Sequence, residues 1–169
     1  ADSPQGDVRM VEHLAAFGVD AHGSATELGA RGLPSRGAVL DLAGEPDLAP
    51  LLAVVALRAA LDHGSTSELH GLGTLRGKES DRLAALAELV AELGFEGRVV
   101  DDALFVGPGT PRRPSAPLDP AGDHRIAFAQ ALLGTFLDGI DVLAPECVSK
   151  SWPEFWSALS ALAPRRGLH

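Results

Sequence analysis

The segment Leu75-Arg76-Gly77-Lys78-Glu79-Ser80-Asp81-Arg82 runs into an apolar stretch at residues 83–90, and the two together predict a helix over about 79–93. Lys78, Glu79 and Arg82 then lie within one turn of the helix N-terminus. Backbone N–H groups and the helix dipole make this end favourable for anions and unfavourable for cations. Cations concentrated there indicate that something negative is to be held.

The same arrangement recurs at residues 122–127 and near residues 149–153, which gives three cationic helix starts in an acidic chain. The net charge of −9 over 169 residues argues against a nucleic-acid partner or an anionic membrane surface. A bound anion must therefore be held by local clusters of cations against the overall field.

Size and composition indicate a single soluble domain with a sizeable core. The hydrophobic fraction is 46% and the charged fraction 22%, and no apolar run is long enough to cross a membrane. The one cysteine, Cys147, excludes an internal disulfide, points to a reducing, cytoplasmic location and is expected to be a small buried residue. The first residue is Ala1 rather than Met, which suggests a piece cut from something larger.

Periodicity predicts an α/β fold in which a supersecondary unit repeats. Three predicted helix starts place an acid just before an Arg, at residues 5–9, 79–82 and 122–125. Asp101 and Asp102 are predicted to form a hairpin turn, and residues 107–122 an ordered loop. The helices are expected at about 7–17, 46–62, 79–93, 123–137 and 152–162, and the strands at 19–24, 37–42, 65–70, 95–100, 103–107 and 140–144.

Each candidate residue has a structural interpretation beside a chemical one. Lys78, Glu79 and Arg82 could form a solvated first turn with a weak Glu79–Arg82 pair, or an anion site. Arg125 precedes apolar residues and needs a carboxylate or phosphate partner. Its neighbour His124 is either a capping or packing residue or a direct ligand.

Lys150 and Asp47 also have both a structural and a chemical interpretation. Lys150 is either an exposed loop lysine or an anion contact at the mouth of the last predicted helix. Asp47 begins an otherwise apolar helix, where it is either a partner of the helix dipole or a carboxylate able to accept a proton from a hydroxyl. No nucleotide-binding loop, zinc-ligand spacing or nucleophile motif occurs, so the residues predict no metal site and no nucleotide bound through such a loop.

Taken together, the motifs resemble those of the 5-enolpyruvylshikimate-3-phosphate synthase family. The resemblance covers essentially the whole chain and lies in Lys78-Glu79-Ser80-Asp81-Arg82, Asp123-His124-Arg125-Ile126-Ala127, Ser149-Lys150-Ser151-Trp152-Pro153-Glu154-Phe155, Gln5-Gly6-Asp7 and Pro46-Asp47. It implies two lobes built from βαβαββ units around parallel buried helices, with the active site in the cleft between them. It also implies transfer of the enolpyruvyl group of phosphoenolpyruvate to the 5-hydroxyl of shikimate 3-phosphate, with release of phosphate and without metal or organic cofactor.

The resemblance also assigns roles. By this resemblance, Asp47 takes the proton from the attacking hydroxyl, and Lys78 contacts that hydroxyl and shares in the proton transfer. Glu79 protonates the methylene carbon of phosphoenolpyruvate and later removes that proton. The phosphoenolpyruvate carboxylate and phosphate are bound by three cations, Arg82, Arg125 and Lys150. Thr74 stands on the shikimate 3-phosphate side, where some members carry Asn, and Gly77 replaces a more common apolar residue.

The family's first lobe has no counterpart here. We therefore expect residues 1–169 to form most of the second lobe as one domain, to be monomeric, to need the missing lobe and to be inactive alone. A related enolpyruvyl transferase acting on a UDP-amino sugar or another alcohol is the nearest alternative. A non-catalytic anion-binding domain derived from the fold is the other.

Overall fold

The computed structural model describes residues 9–24, 27–77 and 81–162. Contacts divide the chain into two compact units, Ala1–Arg112 and Arg113–His169. Among the described residues, no helix is both long enough and apolar enough to cross a membrane.

The first unit contains a βαβαββ arrangement. It opens with helix α1 (Met10–Ala16) and the antiparallel pair β1 (Asp20–Gly23) and β2 (Leu28–Arg31). A second sheet has the order β3-β4-β6-β5, with β3 parallel to β4 and the other neighbours antiparallel. The sheet and its helices are β3 (Val39–Asp41), α2 (Ala49–His63), β4 (Ser67–His70), α3 (Arg82–Glu92), β5 (Phe95–Val100) and β6 (Ala103–Gly109). Chain order β3-α2-β4-α3-β5-β6 confirms the expected α/β unit.

Helices α2 and α3 pack against this sheet and against each other. Leu40, Leu69 and Leu104 are partners across β3, β4 and β6, and all three are buried. Because side chains alternate along a strand, their neighbours Val39 and Phe105 belong to the opposite, more open face. Most residues of α2 are buried, as expected for a core helix.

A helix-and-hairpin element occurs twice in the first unit, which confirms two of the three predicted copies of the repeat. The third, at residues 122–125, begins a helix that no hairpin follows within the described residues. Gly18 and Gly94 follow α1 and α3 in the left-handed region, with φ of 78° and 88°. The same spacing then leads to Arg36 and Arg112. Arg36 Nε donates to the Ala16 carbonyl at 2.9 Å, and Arg112 Nε donates to the Glu92 carbonyl at 2.8 Å. In both copies an arginine after the hairpin satisfies carbonyls at the preceding helix end, which the helix dipole favours.

The second unit contains helix α4 (His124–Leu133), a 3-10 turn at Pro145–Lys150 and helix α5 (Phe155–Leu162). Its buried cluster consists of Ala127, Ala131, Val148 and Phe155, so that α4 packs against the 3-10 turn and α5. The Trp156 indole N–H donates to the Pro145 carbonyl at 2.8 Å. An isolated parallel bridge joins Leu118 and Val142.

Several predicted boundaries were wrong. No strand forms at residues 140–144 beyond the single bridge at Val142. Helix α4 ends at Leu133 rather than near 137, because Gly134 is a poor helix former and the Thr135 hydroxyl donates to the Leu132 carbonyl at 2.7 Å.

Two other differences have equally local causes. Helix α5 begins at Phe155 rather than 152, because Pro153 disfavours helical backbone at the residue before it. Strand β2 was not predicted, since its sequence Leu28-Gly29-Ala30-Arg31 has little β propensity. The predicted start of α1 at residue 7 lies outside the described residues, within which the helix begins at Met10.

Candidate functional site

Asp47 lies in the 3-10 turn Pro46–Leu48, directly before α2. Pro46 occupies the first position of the turn, where its fixed φ and missing N–H are tolerated. Leu48 is buried, whereas the Asp47 side chain is 37% exposed. The turn therefore holds a partly exposed carboxylate at the edge of the core, as its sequence context suggested.

Arg82 is the first residue of α3 and is only 3% exposed. Its Nη1 donates to Asp47 Oδ1 at 2.8 Å, which joins the beginnings of α2 and α3. Asp81 is the N-cap of α3, and its side chain accepts the Ala84 N–H at 3.0 Å. The cation at this helix start thus has a carboxylate partner within the fold, which compensates its unfavourable position relative to the dipole.

Thr74 lies in a second 3-10 turn, Gly73–Gly77, which contacts the turn of Asp47. Leu75 anchors this turn in the core, and Arg76 donates to the carbonyl of Asp101 at the β5–β6 turn. The structure thus brings the predicted residues Asp47, Thr74 and Arg82 onto neighbouring elements. Lys78 and Glu79 lie outside the described residues.

In the second unit, Asp123 fixes the start of α4. It is fully buried, and its Oδ1 accepts the Arg125 N–H at 2.9 Å and the Ile126 N–H at 3.4 Å. His124 and Arg125 are the first two residues of the helix. The His124 ring meets Phe128 edge-to-face with centroids 6.0 Å apart, which matches the packing role considered from the sequence.

Lys150 requires a correction. It is the last residue of the 3-10 turn Pro145–Lys150, whereas α5 begins five residues later at Phe155. The third cationic helix start is therefore the end of a turn, where exposed carbonyls favour a cation. This turn packs on α4, the helix that carries Arg125.

Cys147 is half-buried rather than fully buried. It packs against the buried cluster of the second unit, which includes Ala127 and Val148. Burial, followed by the nearby charge of Glu146, raises the pKa of the thiol. Within residues 9–24, 27–77 and 81–162, no group of three His, Cys, Asp or Glu side chains is placed to hold a metal ion.

A buried charged cluster beside Asp47 was missed by the sequence analysis. Glu45 immediately precedes the turn and its side chain is 5% exposed, as is that of His13 on α1. His13 Nε2 lies 2.8 Å from Glu45 Oε1, and Arg9 Nη1 lies 2.8 Å from the same oxygen. A signal was available, because His13 lies three residues after Met10 and four before Phe17, on the apolar face of α1.

This arrangement provides a carboxylate able to accept a proton, held against a fixed buried guanidinium, at the start of two core helices. A βαβαββ unit of this kind defines the fold class of the enolpyruvyl transferases. The fold is similar to that of the EPSP synthase from Acinetobacter baumannii, with a TM-score of 0.71, 23% identity and coverage of 95% of this chain and 39% of that one. The enolpyruvyl transferase NikO from Streptomyces tendae gives a TM-score of 0.65 at 20% identity, with coverage of 95% and 37%.

Residues 1–159 match the family described as EPSP synthase (3-phosphoshikimate 1-carboxyvinyltransferase), and the chain belongs to that family. The 3-phosphoshikimate 1-carboxyvinyltransferase of Syntrophobacter fumaroxidans is 37% identical over 164 residues. The match covers 95% of this chain and 37% of that protein, so the chain spans little more than a third of its relative.

Proposed function

We propose that this chain is part of an enzyme that transfers the enolpyruvyl group of phosphoenolpyruvate to the 5-hydroxyl of shikimate 3-phosphate and releases phosphate. Such an enzyme serves the biosynthesis of aromatic amino acids. The observation that carries the proposal is the bond between Asp47 and Arg82, which sets a proton acceptor beside a fixed cation. A cytoplasmic location belongs to the same proposal.

The roles are those that the resemblance to the family implies, and the ion pair between Asp47 and Arg82 supports two of them. Asp47 accepts the proton of the attacking hydroxyl, while Arg82 holds substrate charge beside it. In the second unit, Arg125 and Lys150 hold the phosphoenolpyruvate carboxylate and phosphate. Asp123 supports Arg125 by fixing the first turn of α4.

Three further residues complete the proposal. Thr74 contributes to the shikimate 3-phosphate side, Lys78 contacts the reacting hydroxyl, and Glu79 exchanges the proton of the methylene carbon. The chain supplies most of one lobe as a single domain and needs the other lobe for turnover. No cofactor takes part, and apart from the missing lobe the protein needs no further subunit and is a monomer.

The test compares the 169-residue chain with a chimera in which it replaces the matching third of the Syntrophobacter relative. Phosphate release is measured with phosphoenolpyruvate and shikimate 3-phosphate. We expect release from the chimera and none from the chain alone. Glu79→Gln in the chimera should lower the rate by orders of magnitude, whereas Asp62→Asn, at the far end of α2, should leave it unchanged.

Other results would contradict the proposal. Release by the chain alone would show that the missing first lobe is not needed. A folded chimera that accepts a UDP-amino sugar but not shikimate 3-phosphate would indicate a different alcohol substrate. Indifference of an active chimera to Glu79→Gln would remove the assigned proton transfer, and a folded chimera that binds phosphoenolpyruvate without turnover would indicate an anion-binding domain.

A further inference from the structure

The turn that carries Asp47 is held by charged side chains on two sides. On one side, Arg82 of α3 donates to Asp47 itself at 2.8 Å. On the other, Glu45 contacts Arg9, the N-cap of α1, and His13 within that helix. Helices α1 and α3 are the corresponding helices of the internal repeat. Each of them therefore contacts either the turn Pro46–Leu48 or Glu45 directly before it.

The contacts of Glu45 are close, and the side chains of Glu45 and His13 are almost fully buried. Arg9 Nη1 lies 2.8 Å from Glu45 Oε1 and 3.1 Å from Oε2, so one nitrogen spans both oxygens. His13 Nε2 lies 2.8 Å from Oε1. A hydrogen bond with Glu12 and the charge of Glu45 raise the pKa of Arg9. A guanidinium is cationic in proteins in any case, so Glu45 faces a permanent positive charge.

The backbone connects this anchor to Asp47. The Glu45 N–H donates to the Leu42 carbonyl, and the Leu48 N–H donates to the Glu45 carbonyl, both at 3.0 Å. Only Pro46 separates Glu45 from Asp47, and its ring fixes one of the intervening backbone angles. A displacement of the Glu45 backbone therefore also displaces the backbone of Asp47.

A carboxylate buried to this extent is costly unless several partners compensate it. An apolar side chain would fill the same space without that cost. We propose that Glu45 is a positioning residue for Asp47, held by Arg9 and His13 so that the turn keeps the Asp47 carboxylate in place for proton transfer. This inference rests on the role proposed above for Asp47.

The first test needs no activity. Amide hydrogen exchange is measured in the 169-residue chain and in Glu45→Gln, with Asp62→Asn as the control because it removes a carboxylate from the Arg58–Asp62 pair at the other end of α2. We expect exchange of the Leu48 amide to rise about tenfold or more in Glu45→Gln, since bonds to charged groups contribute at least that factor. The Gly64 amide, which donates to Ala60 at the end of α2, should be unaffected.

A second variant keeps the test decisive if Glu45→Gln does not fold. Arg9 is half exposed, so Arg9→Gln should fold and should raise exchange at Leu48 in the same direction by a smaller factor. Unchanged exchange at Leu48 in the folded variants would overturn the proposal. An equal rise at Leu48 and Gly64 would also overturn it, because that result would indicate only global destabilisation.

The second test uses the chimera and asks whether Glu45 acts through Asp47. Glu45→Gln should lower kcat about tenfold with little change in KM, and should have no further effect in an Asp47→Asn background. The same loss of kcat in both backgrounds would refute positioning through Asp47. A chimera that is inactive before any substitution would instead count against the proposed function, while hydrogen exchange still decides whether Glu45 anchors the turn.

Discussion

The bond between Asp47 and Arg82 should be one of the strongest single ion pairs in the first unit. Arg82 is almost fully buried and donates to Asp47 Oδ1 at 2.8 Å. Breaking a fully buried ion pair costs about 3–5 kcal/mol, whereas an exposed pair contributes about 0–1 kcal/mol. Because the Asp47 side chain is 37% exposed, solvent screens part of the interaction. We expect a coupling free energy of about 2 kcal/mol between the two side chains.

A double-mutant cycle measures this coupling. The free energy of urea unfolding is determined for the chain, Asp47→Asn, Arg82→Met and the double variant, at low salt and at high salt. The control cycle uses Glu96 and Arg98 on β5, which lie 2.9 Å apart but are each about half exposed.

The two cycles should respond differently to salt. The control coupling should be at most about 0.5 kcal/mol and should weaken in high salt, whereas the buried pair should keep most of its coupling. A coupling below about 0.5 kcal/mol for Asp47 and Arg82 would refute the reasoning, because the buried guanidinium would then not depend on Asp47.

Three further substitutions or reactions test local features. Gly77→Ala should raise the free energy of unfolding by about 0.4–1 kcal/mol, because alanine restricts the unfolded chain while its added Cβ meets no atom of the described residues within 4 Å; a loss of stability in urea unfolding would contradict this. Asp101 has a φ of 54°, in the left-handed region that favours glycine. Asp101→Gly should therefore relieve about 1 kcal/mol of backbone strain and raise the midpoint of urea unfolding. An unchanged or lower midpoint would argue against strain at this turn. Burial raises the pKa of Cys147, so the rate of iodoacetamide alkylation should rise at higher pH in the folded chain than in urea; coincident pH profiles would show that the thiol is not shielded.

The sequence predicted those parts of the fold that depend on near neighbours. Asp81 and Asp123 were expected at helix starts because a carboxylate can accept N–H groups two or three residues ahead, and both are N-caps. The Asp101–Asp102 turn was expected for a similar local reason, and it joins β5 to β6. Strand β2 was missed because its pairing with β1, rather than its own composition, stabilises it.

The contacts of the candidate site could not be predicted in this way. Arg82 was expected to need an anion, but the sequence offered only the nearby Glu79 or a ligand, whereas the structure adds Asp47 from another helix start. His13 and Glu45 likewise meet only because α1 lies beside the turn before α2. Contacts between distant segments depend on how elements pack, which helix periodicity and capping signals do not specify.

The buried polar groups link the fold to the proposed chemistry. The described residues include six buried polar or charged side chains, and four of them, His13, Glu45, Arg82 and Asp123, either hold the turn of Asp47 or cap α4. Burying a charged group is unfavourable unless a partner compensates it. Stability alone therefore does not account for buried charged groups lying together at two helix starts. The bond to Asp47 uses one of the five N–H donors of the Arg82 guanidinium. That bond therefore compensates a buried cation and orients a carboxylate at once, which is the combination that proton transfer beside a bound anion requires.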